Sequence, residues 1–241
     1  MAEVIDLWVY LSATPLFGLT ATLVTYVLAL TVYVRLGQAP WANPVLWSVV
    51  VLAGLLAATD TPYPRYFAGA QFIHFLLGPA VVALAWPLWQ RRAELRRRWR
   101  ALGLAALAGG AAAASSALAI GWATGLPGPV LASLAPKSVT APVAMGVAEQ
   151  LGGIPALAAV FAVLTGLVGA LLARPLLNLL RVQAPAVRGF ALGTVSHGIG
   201  AARALQVHPT AGAYAALALC LQVLLVSLLA PALLSWLAPL F

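Results

Sequence analysis

The residues able to do chemistry in this chain are few, and they fall in short polar islands. The first is the run from Leu134 to Gly153, LAPKSVTAPVAMGVAEQLGG, which holds the only lysine, Lys137, an acid at Glu149, and prolines at Pro136 and Pro142. Pro136 breaks helical hydrogen bonding, while Ser138 or Thr140 can cap a fresh helix whose first turn accommodates Pro142. A helix that begins inside an apolar layer aims unsatisfied N–H groups and a positive dipole end at that point, here beside an ammonium group. The chemistry this favours is capture of a small anion. The plainer alternative is that Lys137 reaches the nearest interface or pairs with Glu149.

The second island is RGFALGTVSHGIGAARAL. Gly189, Gly193 and His197 recur at four-residue spacing and so share one helix face, with Gly200 near it; small residues in this pattern permit close helix packing. Gly189 and Gly193 could be only such a seam. Thr194, Ser196, His197 and Arg203 are harder to place in a dry bundle, because their polar groups need partners, and together they point to a wetted site. His197, with an ordinary imidazole pKa near ~6.5, is suited to carry a coupled proton. A third interruption, Gly78 and Pro79 in FLLGPAVVAL, loosely echoes the Pro136 to Pro142 break. An interrupted segment in each half is the pattern of an inverted-repeat transporter, with pseudo-repeat halves 1–100 and 101–241 in one integral membrane domain. His74 and Gln71, just before that break, read as packing or interfacial residues.

The elements that must position these islands are membrane spans. The 241 residues are 63% hydrophobic and 7% charged, against roughly 25% charged in a soluble domain. Apolar runs of about 20 residues account for nearly all of the chain, leaving no soluble domain. The fold class is therefore all-α, a polytopic helical bundle with broken or re-entrant helices. Spans are expected over 7–34, 44–58, 67–89, 101–124, 154–172 and 210–237, with TDTPYPRY read as a turn. Six arginines lie in QRRAELRRRWR, which reads as a cytoplasmic loop over 90–100 by the positive-inside rule. If Arg174, Arg181 and Arg188 are also inside, residues 131–150 must start and finish on the outer side, as a re-entrant or broken helix does.

The net charge of +8 does not indicate nucleic acid, since no fold module or aromatic interleaving accompanies the arginines. One cysteine and three scattered histidines give no metal-ligand spacing, and no cofactor motif is present. The five carboxylates are Glu3, Asp6, Asp60, Glu94 and Glu149, and only Glu149 lies near the islands. With no Gly-x-Ser-x-Gly, His-Glu-x-x-His, Walker or Rossmann pattern, an enzyme is disfavoured.

The two islands, the second with its Gly-Thr-x-Ser-His run, resemble the signature regions of the LrgB/CidB family, and FLLGPAVVALAWPL with TPYPRY resembles its more N-terminal block. The likeness covers roughly residues 60–235. It implies a protein of the bacterial inner membrane, of a kind described as an antiholin-like effector of murein hydrolase export and lysis, often encoded beside a holin-like LrgA or CidA partner. A plant relative is a plastidial glycolate/glycerate transporter, and bacterial members are linked to pyruvate uptake. The resemblance carries over Pro136, Lys137, Ser138, Thr140, Pro142, Glu149, Gln150, Gly152, Gly153, Gly193, Thr194, Ser196, His197 and Gly200. This chain departs from the family pattern at Gly146, where an acid is common, and at Arg203, where lysine is frequent.

Two functions follow as expectations. The first is a secondary transporter or channel for small monocarboxylates, with Lys137, Ser138, Thr140, Thr194, Ser196 and His197 at the substrate, Glu149, His197 and Arg203 in coupling or pairing, and a homodimer as the assembly. The second is an antiholin-like regulator acting through an LrgA/CidA-type partner. Neither calls for a metal or cofactor.

Overall fold

The computed structural model describes residues 16–76, 79, 82, 85–90 and 92–237, and is helical throughout with no strand among them. Gly78, Val81 and the start of the first apolar run lie outside the described residues, as does the side chain of His74; Pro79 is helical and exposed. The chain forms two compact units, Met1–Ala80 and Val81–Phe241.

In the first unit, α1 (Leu16–Arg35) is followed by a short 3-10 turn at Pro40–Ala42, α2 (Pro44–Ala58) and α3 (Tyr63–Phe75). Asn43 caps α2: its side-chain oxygen accepts from the amides of Val45 and Leu46 at 2.9 and 3.2 Å. The hydroxyls of Thr22 and Tyr66 share a 2.7 Å hydrogen bond that ties α1 to α3. The TPYPRY stretch, expected as a turn, instead starts α3 at Tyr63. Pro64 falls in the first turn, where its missing N–H would have had no helical partner anyway.

The second unit holds α4 (Ala85–Gln90), α5 (Arg92–Ala123), α6 (Gly128–Leu134), α7 (Ala141–Gln150), α8 (Pro155–Leu179), α9 (Pro185–Val207) and α10 (Pro209–Leu237). The arginine stretch expected as a loop over 90–100 is helix from Arg92 onward, kinked at Arg98 (φ −119°, ψ 19°). Arg, Glu, Leu and Ala are strong helix formers and no glycine or proline interrupts them, so α5 extends through the charges. Among the described residues four helices, α1, α5, α8 and α10, are long and apolar enough to cross a membrane.

Between these long helices sit two helical hairpins. In the first, α6 and α7 flank the irregular residues 135–140. The chain comes back beside the end of α6: the Ile154 amide donates to Ser133 Oγ at 2.7 Å. Leu131 of α6 packs on Gly121 at the end of α5. Val139, Ala144 and Ala148 then pack on Ala158 and Ala162 of α8, all five fully buried. Small side chains there let α7 and α8 lie close.

The second hairpin is α9 itself. The sequence periodicity predicts one continuous face through Gly189, Gly193 and His197, but the helix breaks at His197, whose φ of 40° and ψ of −133° reverse the chain. A methyl group at Gly200 would lie 2.8 Å from the Leu192 carbonyl oxygen, whereas eight residues of straight helix span about 12 Å. Residues 185–196 and 198–207 are thus antiparallel arms, and Arg188 and Gly189 share a cavity wall with Arg203 and Ala204. Thr194, Ser196 and Gly198 are poorer helix formers than the alanines and leucines around them, and no proline announces the break.

α10 runs alongside the first arm in the same direction, Ala211 against Gly189 and Ala215 against Gly193. It is also parallel to α5, since Tyr214 donates its hydroxyl hydrogen to Glu94 and Gln222 Nε2 donates to the Ala106 carbonyl at 2.6 Å. The α6–α7 hairpin therefore hangs from the end where α5 finishes, and the α9 hairpin rises from the opposite, arginine-rich end.

Candidate functional site

The two hairpin tips reach the same level of α8. The first buries Val139 in one cluster with Ala158 and Ala162, with Ala141 packed against it. The second places His197 Nε2 2.7 Å from the Ala162 carbonyl oxygen; a carbonyl only accepts, so Nε2 carries the hydrogen. Lys137 of the first tip and Ser196 of the second line one groove of about 510 Å³, walled by Thr165, Val168 and Gly169 of α8. Two residues of α8 make room: a methyl group at Gly166 would lie 2.9 Å from His197 Cε1, and one at Gly169 would collide with Ser196 Oγ.

Two hydroxyls at this level lack partners. Thr140 occupies the cap position of α7, yet its side chain makes no cap bond. Thr140 Oγ1 and Ser196 Oγ are buried and without a hydrogen-bond partner, and Ser196 is fully inaccessible. Buried polar groups are nearly always paired, so each orphan calls for a specific reason. Lys137 Nζ reaches only a long, 3.4 Å contact to Ser138 Oγ, and among the described residues no carboxylate sits within ion-pairing distance of it. The expected alternative partner, Glu149, is exposed at the far end of α7, about 13 Å from Thr140 along the helix axis.

The electrostatics of the tips agree in sign. α7 and the return arm of α9 both start here, so two sets of first-turn amides and two positive dipole ends converge beside one ammonium group. The backbone at His197 adds strain: a non-glycine residue at positive φ costs on the order of 1–3 kcal/mol and persists only where its surroundings enforce it. The arrangement can take up a small anion carrying further oxygen atoms for the two hydroxyls.

The structure separates other residues expected at the site. Thr194 Oγ1 donates to the Phe190 carbonyl of its own helix at 2.8 Å, and its methyl group faces Gly109 of α5. Arg203 lies at the base of the α9 hairpin, with Nη1 3.3 Å from Gln206 Oε1. Ser138 is buried beside Lys137. Pro136 is buried against a separate apolar cavity of about 170 Å³ that Gln222 also lines, and Pro142 stands in the first turn of α7. Gly193 and Gly200 serve close packing, on Ala215 and Leu192 respectively. The residues that the sequence reading passed over are Ala162, Thr165, Gly166 and Gly169, hidden in what reads as an uninterrupted apolar span; the i, i+3 glycine pair was their one signal. Among the described residues, no group of three His, Cys, Asp or Glu side chains comes together.

Comparison with known proteins gives one family. The model of the LrgB-like family matches residues 22–236. An uncharacterized protein of Haemophilus influenzae is 35% identical over 189 residues, covering 78% of this chain and 82% of its own. The uncharacterized protein YwbG of Bacillus subtilis is 34% identical over 223 residues, 91% of this chain and 97% of its own. YxaC of the same organism is 32% identical over 210 residues, 87% and 91%. No solved structure matches.

Proposed function

The chain belongs to the LrgB-like family, and from that premise we propose that it is a multi-pass protein of the bacterial inner membrane that carries small monocarboxylates, such as glycolate, glycerate, pyruvate or lactate. One observation carries this reading: Lys137 and Ser196, from the tips of two opposed hairpins, line one groove, and Ser196 Oγ has no hydrogen-bond partner there, nor has Thr140 Oγ1 three residues on from Lys137. Irregular backbone at membrane depth is tolerated only where protein buries it or a cavity needs it, and an ionisable residue there is by default a functional one. Lys137 supplies charge to the carboxylate. The first-turn amides of α7 and of the α9 return arm add donors. Thr140 and Ser196 bond the substrate's hydroxyl or keto oxygen, and His197 holds the second tip on α8.

The orientation follows from charge. The arginine-rich start of α5, together with Arg174, Arg181, Arg188 and Arg203, lies at one end of the second unit, and the positive-inside rule assigns that end to the cytoplasm. The two hairpins then re-enter from opposite faces and meet near mid-depth, the arrangement in which discontinuous helices bind anionic substrates.

The test is uptake of labelled glycolate and pyruvate into proteoliposomes holding only the purified protein. Saturable uptake is expected, and Lys137→Ala should reduce it at least about thirtyfold, the lower range for truncating one partner of a buried charge pair. Undiminished uptake in that variant would remove Lys137 from the site. No uptake of either acid by folded protein would shift the reading to an antiholin-like regulator that works through an LrgA/CidA-type partner.

A further inference from the structure

Residues 151–241 contain four arginines and not one aspartate or glutamate. Three of these arginines surround a single cavity of about 260 Å³ at the base of the α9 hairpin: Arg174 from α8, Arg188 from the first arm and Arg203 from the return arm, with Gln183 and His208 beside them. No carboxylate lines it. Arg188 is held in place, its Nη2 donating to Asn178 Oδ1 at 2.6 Å and to the Arg174 carbonyl at 3.3 Å. Arginines from three segments around one cavity suit an anion with several oxygens, and phosphoryl oxygens accept the paired N–H bonds that arginine offers.

The cavity is not closed on its apolar side. Ala173, Leu177 and Leu192 line both it and the groove that runs along α8 towards Lys137. Leu164, Val168, Leu172 and Leu176, which wall that groove, are each about half exposed. From Arg174 to Leu164 the helix rises about 15 Å, close to half the ~30 Å hydrocarbon core. A basic cavity at a helix end, continuous with an apolar channel along the helix, has the shape and polarity of one phospholipid.

We propose that this cavity and groove bind an anionic phospholipid, its headgroup phosphate among Arg174, Arg188 and Arg203 and one acyl chain along α8. The bound lipid bridges α8 to both arms of the α9 hairpin. The inference goes beyond the carboxylate reading and uses neither Lys137 nor the unpartnered hydroxyls as ligands; the far end of the acyl chain reaches the groove that Lys137 and Ser196 line, so lipid and carboxylate compete for that end of it.

Native mass spectrometry of the purified protein, titrated with phosphatidylglycerol and with phosphatidylcholine of the same chains, tests it. Phosphatidylglycerol should bind preferentially. Arg188→Gln with Arg203→Gln should weaken it about thirtyfold, at roughly fivefold per arginine, while Arg96→Gln with Arg97→Gln should leave it unchanged. Arg188→Lys with Arg203→Lys keeps the charge and should retain most of the preference, which separates loss of the site from loss of the fold. Ala173→Phe fills the junction without removing charge and should abolish lipid retention, yet spare any weak binding of inorganic phosphate. Equal binding of the two lipids would overturn the proposal, as would equal weakening by the two glutamine pairs, which means diffuse surface charge. Unchanged lipid binding in Ala173→Phe would overturn it too, since the site would then take a headgroup or free phosphate without the chain.

Discussion

Replacing Ser196 with alanine should make the protein more stable and less active at the same time. Ser196 is fully buried and its Oγ has no hydrogen-bond partner. Burying an unpaired hydroxyl costs about 1–3 kcal/mol by mutational measures. Alanine removes that penalty and loses the packing of one atom against Gly169, a loss comparable to the smaller Ile→Val cases at about 0.5–1 kcal/mol. The net expectation is a gain near 1 kcal/mol, which at this chain length raises Tm by about 2–4 °C. Uptake should move the other way: losing one hydrogen bond to the substrate, worth about 1–1.5 kcal/mol, lowers kcat/KM roughly tenfold. Thr140→Val, which swaps the other orphan hydroxyl for a methyl group, should behave alike. The assay is a thermal melt in detergent paired with proteoliposome uptake on the same preparations. A residue that only holds the fold loses stability and activity together. A Tm lowered by more than about 2 °C would mean that Oγ is paired, for example to a buried water, and would refute the reasoning; so would unaltered uptake in a stabilised variant.

Two further perturbations address the scaffold. A methyl group at Gly193 would overlap the carbonyl oxygen of Ala215, so Gly193→Ala should separate α10 from the hairpin and destabilise by about 1–3 kcal/mol, as overpacking does; Gly198→Ala, with open space around it, is the control for an equal change, and equal melts would refute the packing assignment. Single cysteines at Gln150, Gln183 and His208, in a Cys220→Ala background, should report the hairpins. Gln183 and His208 should label from one membrane face and Gln150 from the other; labelling of Gln183 and His208 from different faces would mean that α9 crosses instead of turning back.

The first hairpin was legible in the sequence because its break is written in residues with a single meaning. Pro136 and Pro142, six residues apart, disfavour an unbroken helix there, and the arginines at 174, 181 and 188, taken as cytoplasmic, ask the chain to return. The proline signal is local, and the structure places the interruption at 135–140 accordingly. The second hairpin has no such residue. His197 turns the chain at positive φ without proline and without glycine at the turning position, and the four-residue recurrence of Gly189, Gly193 and His197 reads straight through it. What permits the break is tertiary: room at Gly166 for the imidazole and a carbonyl at Ala162 to receive its hydrogen. Neither can be seen from the neighbours of His197. For the same reason Thr194 and Ser196, two residues apart, read as one polar group although they face different helices, α5 and α8. The arginine run failed as a loop in a simpler way, since charge marks a side of the membrane and says nothing about helicity.

The position of the two breaks matters more than the presence of Lys137. A lone ammonium group in an apolar bundle would gain most by reaching for an interface, and its long side chain permits that. On the proposed reading two helix starts add fixed positive ends that hold an anion, which in turn holds the ammonium group in place, and two orphan hydroxyls add a desolvation cost that a ligand with further oxygens relieves. Because α8 is about 37 Å long and both tips contact it between Ala162 and Gly169, that unsatisfied region begins about 10 Å from one end of the helix and stops about 15 Å from the other. Each hairpin thus closes the path to its own face with about two or three turns of helix beyond the tip, and on that reading a ligand held between them is separated from either side by hairpin arms, not by the full thickness of a bundle. For the carrier proposed here, a single break would leave the anion reachable from one side only, whereas two opposed breaks at one depth suit passage as distinct from binding.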